Sequence, residues 1–130
     1  MSTPSRINRA ALSPDSIELL GLLAYIYLEN NRPEKAAVLL SALETLGVAD
    51  SRRRLSLALA QLRSGKPESA AATLERAALR GEVDAPFHLV RAQALLALER
   101  RAEAAAAMRA YVALRAAAAP TDAAAKPATR

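Results

Sequence analysis

The stretch LENNRPEKAAVLLSALETLG, residues Leu28 to Gly47, decides the fold because the chain repeats it. Thirty-four residues later the pattern returns as LRSGKPESAAATLERAALRG, residues Leu62 to Gly81. The identical pairs are Leu28/Leu62, Pro33/Pro67, Glu34/Glu68, Ala36/Ala70, Ala37/Ala71, Leu40/Leu74 and Gly47/Gly81. A weaker third copy, LALERRAEAAAAMRAYVALR, spans Leu96 to Arg115 in the same register. This period indicates repeated pairs of helices joined by a tight turn.

Cap and turn residues between the apolar runs divide the chain into six helices. Residues that can cap the start of a helix precede three of the runs: Ser13, Asp50 or Ser51, and Asp84. Gly47 and Gly81 can take the left-handed conformation that ends a helix. The predicted helices span about Pro14–Glu29, Pro33–Leu46, Asp50–Arg63, Pro67–Leu79, Asp84–Leu98 and Ala102–Leu114.

Alanines recur where the two helices of each predicted hairpin should meet. They are Ala24, Ala58 and Ala92 on the first helices, and Ala36, Ala70 and Ala104 on the second. A larger side chain at these positions would hold the helices apart. In period and in this small-residue pattern, residues 17–116 resemble the tetratricopeptide-repeat family. The sequence departs from the family at the fourth repeat position, which is usually aromatic and is here Leu20, Arg54 and His88.

The resemblance implies an all-α fold of three tetratricopeptide-like helix hairpins in a short right-handed solenoid. The repeats would cover about 17–50, 51–84 and 85–116, within a domain of residues 14–116. We expect residues 1–13 to be a flexible lead-in, because they are polar and lack periodicity. We expect residues 117–130 to be a disordered Ala/Pro tail, because small residues bury too little area to offset the entropy of ordering.

Composition argues for one soluble domain and against nucleic-acid binding. The chain has 130 residues, of which 52% are hydrophobic and only 3% aromatic. Its formal charge is +5, from 18 Lys and Arg against 13 Asp and Glu. Binding to nucleic acid usually needs a basic stripe with aromatic or polar partners that contact the bases. The only dense basic run is Arg52–Arg54, and no aromatic residue accompanies it.

The sequence also predicts a cytoplasmic location. There is no cysteine, which agrees with a reducing compartment. The longest strongly apolar run, Leu19–Leu28, has ten residues and is too short to span a bilayer. No charged segment followed by an apolar one opens the chain, so a secretory signal is not expected.

No constellation of residues indicates catalysis, a metal or a cofactor. His88 is the single histidine, and we expect it to be a partly buried packing residue. The four glycines lie far apart, so none belongs to a phosphate-binding loop. The serines have no base partner within a recognisable motif. We therefore expect a binding protein and not an enzyme.

The repeat register predicts which residues line a concave face. In tetratricopeptide folds, five positions of each first helix point into the groove. The candidate partner-binding residues are Tyr25, Leu28, Arg52, Leu55, Leu59, Leu62, Arg63, Leu89, Gln93 and Leu96. An exposed apolar stripe of this kind suits an amphipathic helix or an extended peptide. The alternative is that three repeats curl until the leucines close on each other as core.

The run Arg52–Arg54 also allows two interpretations. It could dock an acidic partner, with Arg52 the member that the register directs into the groove. Alternatively, it is a solvated helix face of which only part points inward.

A narrower resemblance rests on the order of three segments. They are LLGLLAYIYLENNRPEKAAVLLSALETLGV, then SRRRLSLALAQL, then RAQALLALERRAEAAAAMRAYVALR. Together they resemble the Y-class chaperones of bacterial type III secretion systems, with most of the likeness in residues 19–62. The resemblance implies a non-enzymatic chaperone whose concave groove holds the small secreted X-class protein. The pair would then meet the export gate at the inner membrane.

Other functions fit the same residues. A translocator or needle-subunit chaperone of the same secretion system is one alternative, although translocator chaperones are usually longer and carry an N-terminal dimerisation arm. A generic tetratricopeptide scaffold and an RNA-binding helical repeat are two more. An uncovered apolar groove also invites self-association, so a homodimer of the chain alone is a further expectation.

Overall fold

A computed structural model describes residues 12–118, which form six α-helices and no β-strand within that range. The helices are α1 (Pro14–Glu29), α2 (Pro33–Thr45), α3 (Ser51–Arg63), α4 (Pro67–Leu79), α5 (Ala85–Ala97) and α6 (Arg101–Ala118). They pair as three hairpins, α1–α2, α3–α4 and α5–α6. The all-α prediction is confirmed. Most of the expected lead-in and tail, residues 1–11 and 119–130, lies outside the described residues.

The predicted capping residues do begin the first helix of each hairpin. The Ser13 side chain accepts a hydrogen bond from the backbone N–H of Ser16 at 3.1 Å. Asp50 accepts one from Arg53 at 2.8 Å, and Asp84 one from Phe87 at 3.2 Å. Each of these bonds satisfies a donor that the helix start leaves unpaired.

Residues with positive φ close the turns inside the hairpins. Asn31 (φ 60°) and Gly65 (φ 79°) do so in the first two hairpins. In the third, Glu99 takes the same conformation (φ 62°), which is uncommon for a residue with a Cβ. The third copy of the turn therefore keeps its shape without glycine or asparagine.

The small-residue pattern forms the centre of each hairpin. Ala24, Ala36, Ala58 and Ala70 are at most 1% exposed, and Ala92 and Ala104 are 7% exposed. Larger side chains fill the space between successive hairpins: Leu40, Leu43 and Leu57 in one cluster, and Leu74, Phe87 and Val90 in another. The alanines thus allow close approach within a hairpin, and the leucines fill the space between hairpins.

Two helices differ from their sequence-based descriptions. In α1, Leu20, Tyr27 and Leu28 pack on the core, but Leu19 and Leu23 of the same periodic set are exposed. In α6, residues 117 and 118 are helical, so the prediction that the tail begins at residue 117 is wrong by two residues. Alanine is the strongest helix former, and residues 102–118 contain neither glycine nor proline.

The arrangement of the hairpins gives the molecule an inner and an outer side. Neighbouring first helices contact one another, α1 with α3 and α3 with α5. Among the described residues, the backbones of the second helices α2, α4 and α6 do not approach each other in this way, and α2 and α4 are joined only through long side chains, Glu44 with Arg76 at 3.4 Å. Because the first helices lie closer together, α1, α3 and α5 form the inner, concave side.

Candidate functional site

The candidate site is the inner side of α1, α3 and α5, which we call the groove face. Three equivalent positions of each first helix form rows across it. The rows are Gly21, Leu55 and Leu89, then Tyr25, Leu59 and Gln93, then Leu28, Leu62 and Leu96. Rows of this kind arise because residues three and four apart share one side of a helix, and the 34-residue period repeats that side on the next first helix.

Apolar side chains on this face are partly exposed to solvent. Tyr25 and Leu96 are 58% and 60% exposed. The four remaining leucines of the predicted site, apart from Leu28, are half-buried: Leu55, Leu59, Leu62 and Leu89. Leu55 and Leu62 also rest against the core cluster beneath them. The three hairpins therefore do not curl enough to remove the stripe from solvent.

Leu28 is the exception among the predicted apolar residues of the site. It is only 9% exposed and belongs to the core cluster of the first hairpin. Its row therefore presents Leu62 and Leu96 to solvent, while Leu28 supports the face from below.

Polar residues lie both within the apolar stripe and at its ends. Gln93 lies exposed in the middle row, and Arg52 and Arg63 lie exposed near the two ends of α3. The arginines stand at opposite edges of the groove face, and Arg52 also lines a cavity of about 320 Å³ between α1 and α3. Tyr25 lines the same cavity. An apolar centre with cationic edges suits an apolar segment flanked by acidic residues.

Gly21 allows α3 to approach α1 closely at this cavity. A Cβ built on Gly21 would lie 2.8 Å from Nε of Arg53, which no ordinary contact permits. Nη2 of Arg53 forms an ion pair with Glu18 at 3.3 Å, and Nη1 donates a hydrogen bond to Asp50 at 3.2 Å. The glycine therefore makes room for the guanidinium that links the first two hairpins.

Arg54 has a structural role that the sequence interpretation missed. Its side chain is 4% exposed and donates from Nε to Glu44 at 3.0 Å and from Nη1 to Glu82 at 2.7 Å. Nη2 donates to the carbonyl oxygen of Ala49 at 3.1 Å. Arg76 adds a longer contact to Glu44, 3.4 Å. This cluster ties α2, α3, α4 and the loop before α5 together.

Arg54 stays charged although its side chain is buried. Desolvation is the largest single influence and acts to lower the pKa of the guanidinium. Hydrogen bonds and charge interactions with Glu82 and Glu44 act in the opposite direction, and together they hold the pKa above its ordinary value. Arg54 therefore remains cationic, and its two carboxylate partners compensate it.

The three consecutive arginines thus have three different environments. Arg52 is exposed on the groove face, Arg53 is largely covered between α1 and α3, and Arg54 is buried. The interpretation in which only part of the run faces the groove fits this arrangement. One feature of the sequence could have indicated that Arg54 is buried. It occupies the fourth repeat position, where the family usually has a packed aromatic residue.

The remaining chemistry-bearing residue, His88, is half-buried, and its ring meets the edge of Phe87 with centroids 5.1 Å apart. Its Nδ1 atom is buried and lacks a hydrogen-bond partner among the described residues. Within residues 12–118, no group of His, Asp and Glu is arranged to hold a metal ion. No helix in that part of the chain is both long and apolar enough to cross a membrane.

Comparison with known proteins finds a solved structure of similar fold. No family model matches the sequence, and no curated protein matches it either. The fold is similar to the crystal structure of PcrH in complex with the chaperone-binding region of PopB, with a TM-score of 0.75 and 26% sequence identity. The alignment covers 82% of this chain and 86% of that chain.

This similarity confirms the helical-repeat solenoid. It supports the expectation of a tetratricopeptide-like chaperone of type III secretion and does not point to the Y class in particular.

Proposed function

We propose that this chain is a non-enzymatic chaperone of type III secretion that acts in the bacterial cytoplasm. Its groove face would hold a segment of a secreted protein before export. The observation that carries this proposal is the partly exposed apolar stripe on the concave side of a fold shared with a chaperone. A large exposed apolar surface on a small protein commonly marks a site for another protein.

Binding would bury the apolar rows and pair the charged edges. Tyr25, Leu59, Leu89 and Leu96 would contact the apolar side of a partner helix or extended segment. Full burial of an exposed leucine contributes roughly 1.5–3 kcal/mol, so the half-buried Leu59 and Leu89 would each contribute about half of that. Arg52 and Arg63 would face acidic groups of the partner at the two edges, which favours one orientation and speeds association.

The partner class that we favour is a translocator. The similar structure, PcrH, is bound to the chaperone-binding region of PopB, and this favours a translocator segment over an X-class protein as the occupant of the groove face. The alignment covers most of this chain and most of the PcrH chain, so the similarity is not confined to one hairpin.

The X-class protein remains the second candidate, supported by the Y-class resemblance of residues 19–62. In that case the complex would go on to the export gate. A binding titration separates the two candidates. It uses the intact chain and synthetic segments that tile the translocators and the X-class protein of the same secretion system. Tight binding by translocator segments alone supports the first candidate, and binding by X-class segments alone supports the second.

The decisive variant is Leu59→Asp, because Leu59 lies in the middle row of the groove face. We expect it to weaken partner binding by about ten- to a hundredfold, because it removes the remaining burial of Leu59 and places a carboxylate in an apolar contact. Co-purification with the partner and calorimetric titration measure the loss, and circular dichroism checks that the chain is still helical.

Leu79→Asp is the matched control. Leu79 lies on α4, outside the groove face, and is 85% exposed. We expect it to leave partner binding unchanged. If Leu59→Asp binds the partner as tightly as the unmodified chain does, the groove face is not the binding site.

A further inference from the structure

A second apolar surface lies on α1 beside the groove face, and one of its members, Leu22, also lines the cavity that Tyr25 and Arg52 line. It consists of Leu19, Leu22, Leu23 and Ile26, which are 64%, 53%, 37% and 43% exposed. These residues follow one another at three- and four-residue steps, so they share one side of the helix. Residues 12–118 cover them only in part. We call this side the α1 end face.

The repeat register shows what this face does in the other hairpins. The equivalent positions lie 34 residues later on α3 and 68 residues later on α5. On α3 they are Arg53, Ser56, Leu57 and Ala60, and on α5 they are Phe87, Val90, Arg91 and Ala94. Leu57 and Ala60 are buried against the first hairpin, and Phe87, Val90 and Ala94 against the second. The face is therefore the one by which each hairpin packs on the hairpin before it.

The opposite end of the molecule has the complementary surface uncovered. Leu40 and Leu43 of α2, and Leu74 and Ala77 of α4, are buried by the next hairpin along the chain. Their equivalents on α6 are Met108 and Tyr111, and Met108 is 42% exposed. Val112 beside them is 57% exposed. We call Met108, Tyr111 and Val112 the α6 end face.

Charge distinguishes between the possible ways of covering the α1 end face. Helix α1 carries three acidic side chains, Asp15, Glu18 and Glu29, and no basic one, and Arg53 of α3 compensates only Glu18. Two copies of α1 placed together would therefore repel. Helix α6 carries three arginines and one glutamate, so it would attract α1.

We propose that the α6 end face of one copy of this chain packs on the α1 end face of another copy. The contact repeats, between molecules, the junction that already joins successive hairpins within the molecule. Such a head-to-tail contact leaves one end face open on each outer copy. It therefore adds further copies as concentration rises, unless a ring closes.

Sedimentation of the intact chain over a range of concentrations tests the proposal. We expect the average mass to rise with concentration and to pass beyond that of a dimer. Leu23→Glu on α1 and Met108→Glu on α6 should each weaken this association by at least about tenfold, since each places a charge in an apolar contact. Leu79→Glu, on an exposed residue outside both end faces, should leave the masses unchanged.

Mixing the two blocked variants identifies the geometry. A Leu23→Glu chain retains its α6 end face, and a Met108→Glu chain retains its α1 end face. A head-to-tail contact therefore predicts a one-to-one heterodimer of the two variants that grows no further. A pair formed through two α1 helices predicts instead that Met108→Glu dimerises normally and that the mixture forms no heterodimer.

Three results would overturn the proposal. They are a monomer at every concentration, association that is insensitive to Met108→Glu, and loss of association in Leu79→Glu. The groove variant Leu59→Asp should associate as the unmodified chain does, because Leu59 belongs to neither end face. Failure of the proposed chaperone function and failure of this contact are thus measured separately.

Discussion

At the scale of single residues, Arg54 shows how a charge can be part of the packing of a helical repeat. It fills the fourth position of the second repeat, where an aromatic residue usually packs, and reaches carboxylates on both sides of its own helix. Two partners and a backbone carbonyl satisfy its donors. A buried charge with this many partners is tolerated, whereas a buried charge without them is very costly.

Arg54→Met should therefore destabilise the protein by about 3 kcal/mol, because it leaves Glu44 and Glu82 partly buried without their main partner. Urea unfolding followed by circular dichroism measures the difference. Arg52→Met is the control at an exposed position two residues away, and it should change the stability by no more than about 0.5 kcal/mol. Equal stability of the two variants would show that the Arg54 cluster adds nothing to the fold.

At the scale of secondary-structure elements, the hairpins depend on how closely two helices approach. Ala58 and Ala70 are both 0% exposed and belong to the same core cluster, so no space remains for extra atoms between α3 and α4. The caps and turns fix where each helix begins and ends, and the alanines fix the distance between the paired helices.

Ala58→Leu should for this reason destabilise the second hairpin, by roughly 1–3 kcal/mol from overpacking. Ala72→Leu makes the same chemical change at an exposed position of α4 and should be close to neutral. Thermal and urea unfolding of the two variants give the comparison. If Ala58→Leu is as stable as Ala72→Leu, the spacing within the hairpin is not set by the alanine.

At the scale of the whole molecule, the groove face and the two end faces point in different directions. Contact between the first helices curves the array and exposes the apolar rows on its inner side. The end faces exist because three hairpins form an array with a beginning and an end, and each junction buries only the surface between neighbours. Under the two proposals, one short chain would offer one surface to a partner and two surfaces to other copies of itself.

The edge charges of the groove face give a prediction for the complex. The double variant Arg52→Glu with Arg63→Glu should slow association with an acidic partner and reduce the dependence of the association rate on salt, because rim charges act mainly through steering. Stopped-flow mixing at low and high salt measures both. Arg80→Glu, an exposed arginine at the end of α4, is the control and should change neither. An unaltered association rate in the double variant would remove the arginines from the binding site.

Much of the fold can be predicted from the sequence because its signals are local. The capping residues Ser13, Asp50 and Asp84 act over a few residues each, and the helices begin where these signals lie. The repeat period and the small-residue pattern then relate only neighbouring helices. The candidate site could be predicted only in part. The register places Tyr25 and Leu59 on the concave side, but it cannot say how far each side chain is buried.

The sequence by itself determined three helix hairpins, their register and the side of each first helix that forms the groove face. The tertiary structure decided which apolar residues are core and which are surface. Leu28 is buried and Leu23 exposed, although both belong to one periodic set, because a hairpin covers the first and no hairpin among the described residues precedes the second. The tertiary structure also joined Arg54 to carboxylates 10 and 28 residues away in the chain. Burial and ion pairing depend on neighbours distant in the chain, and a repeat pattern does not record them.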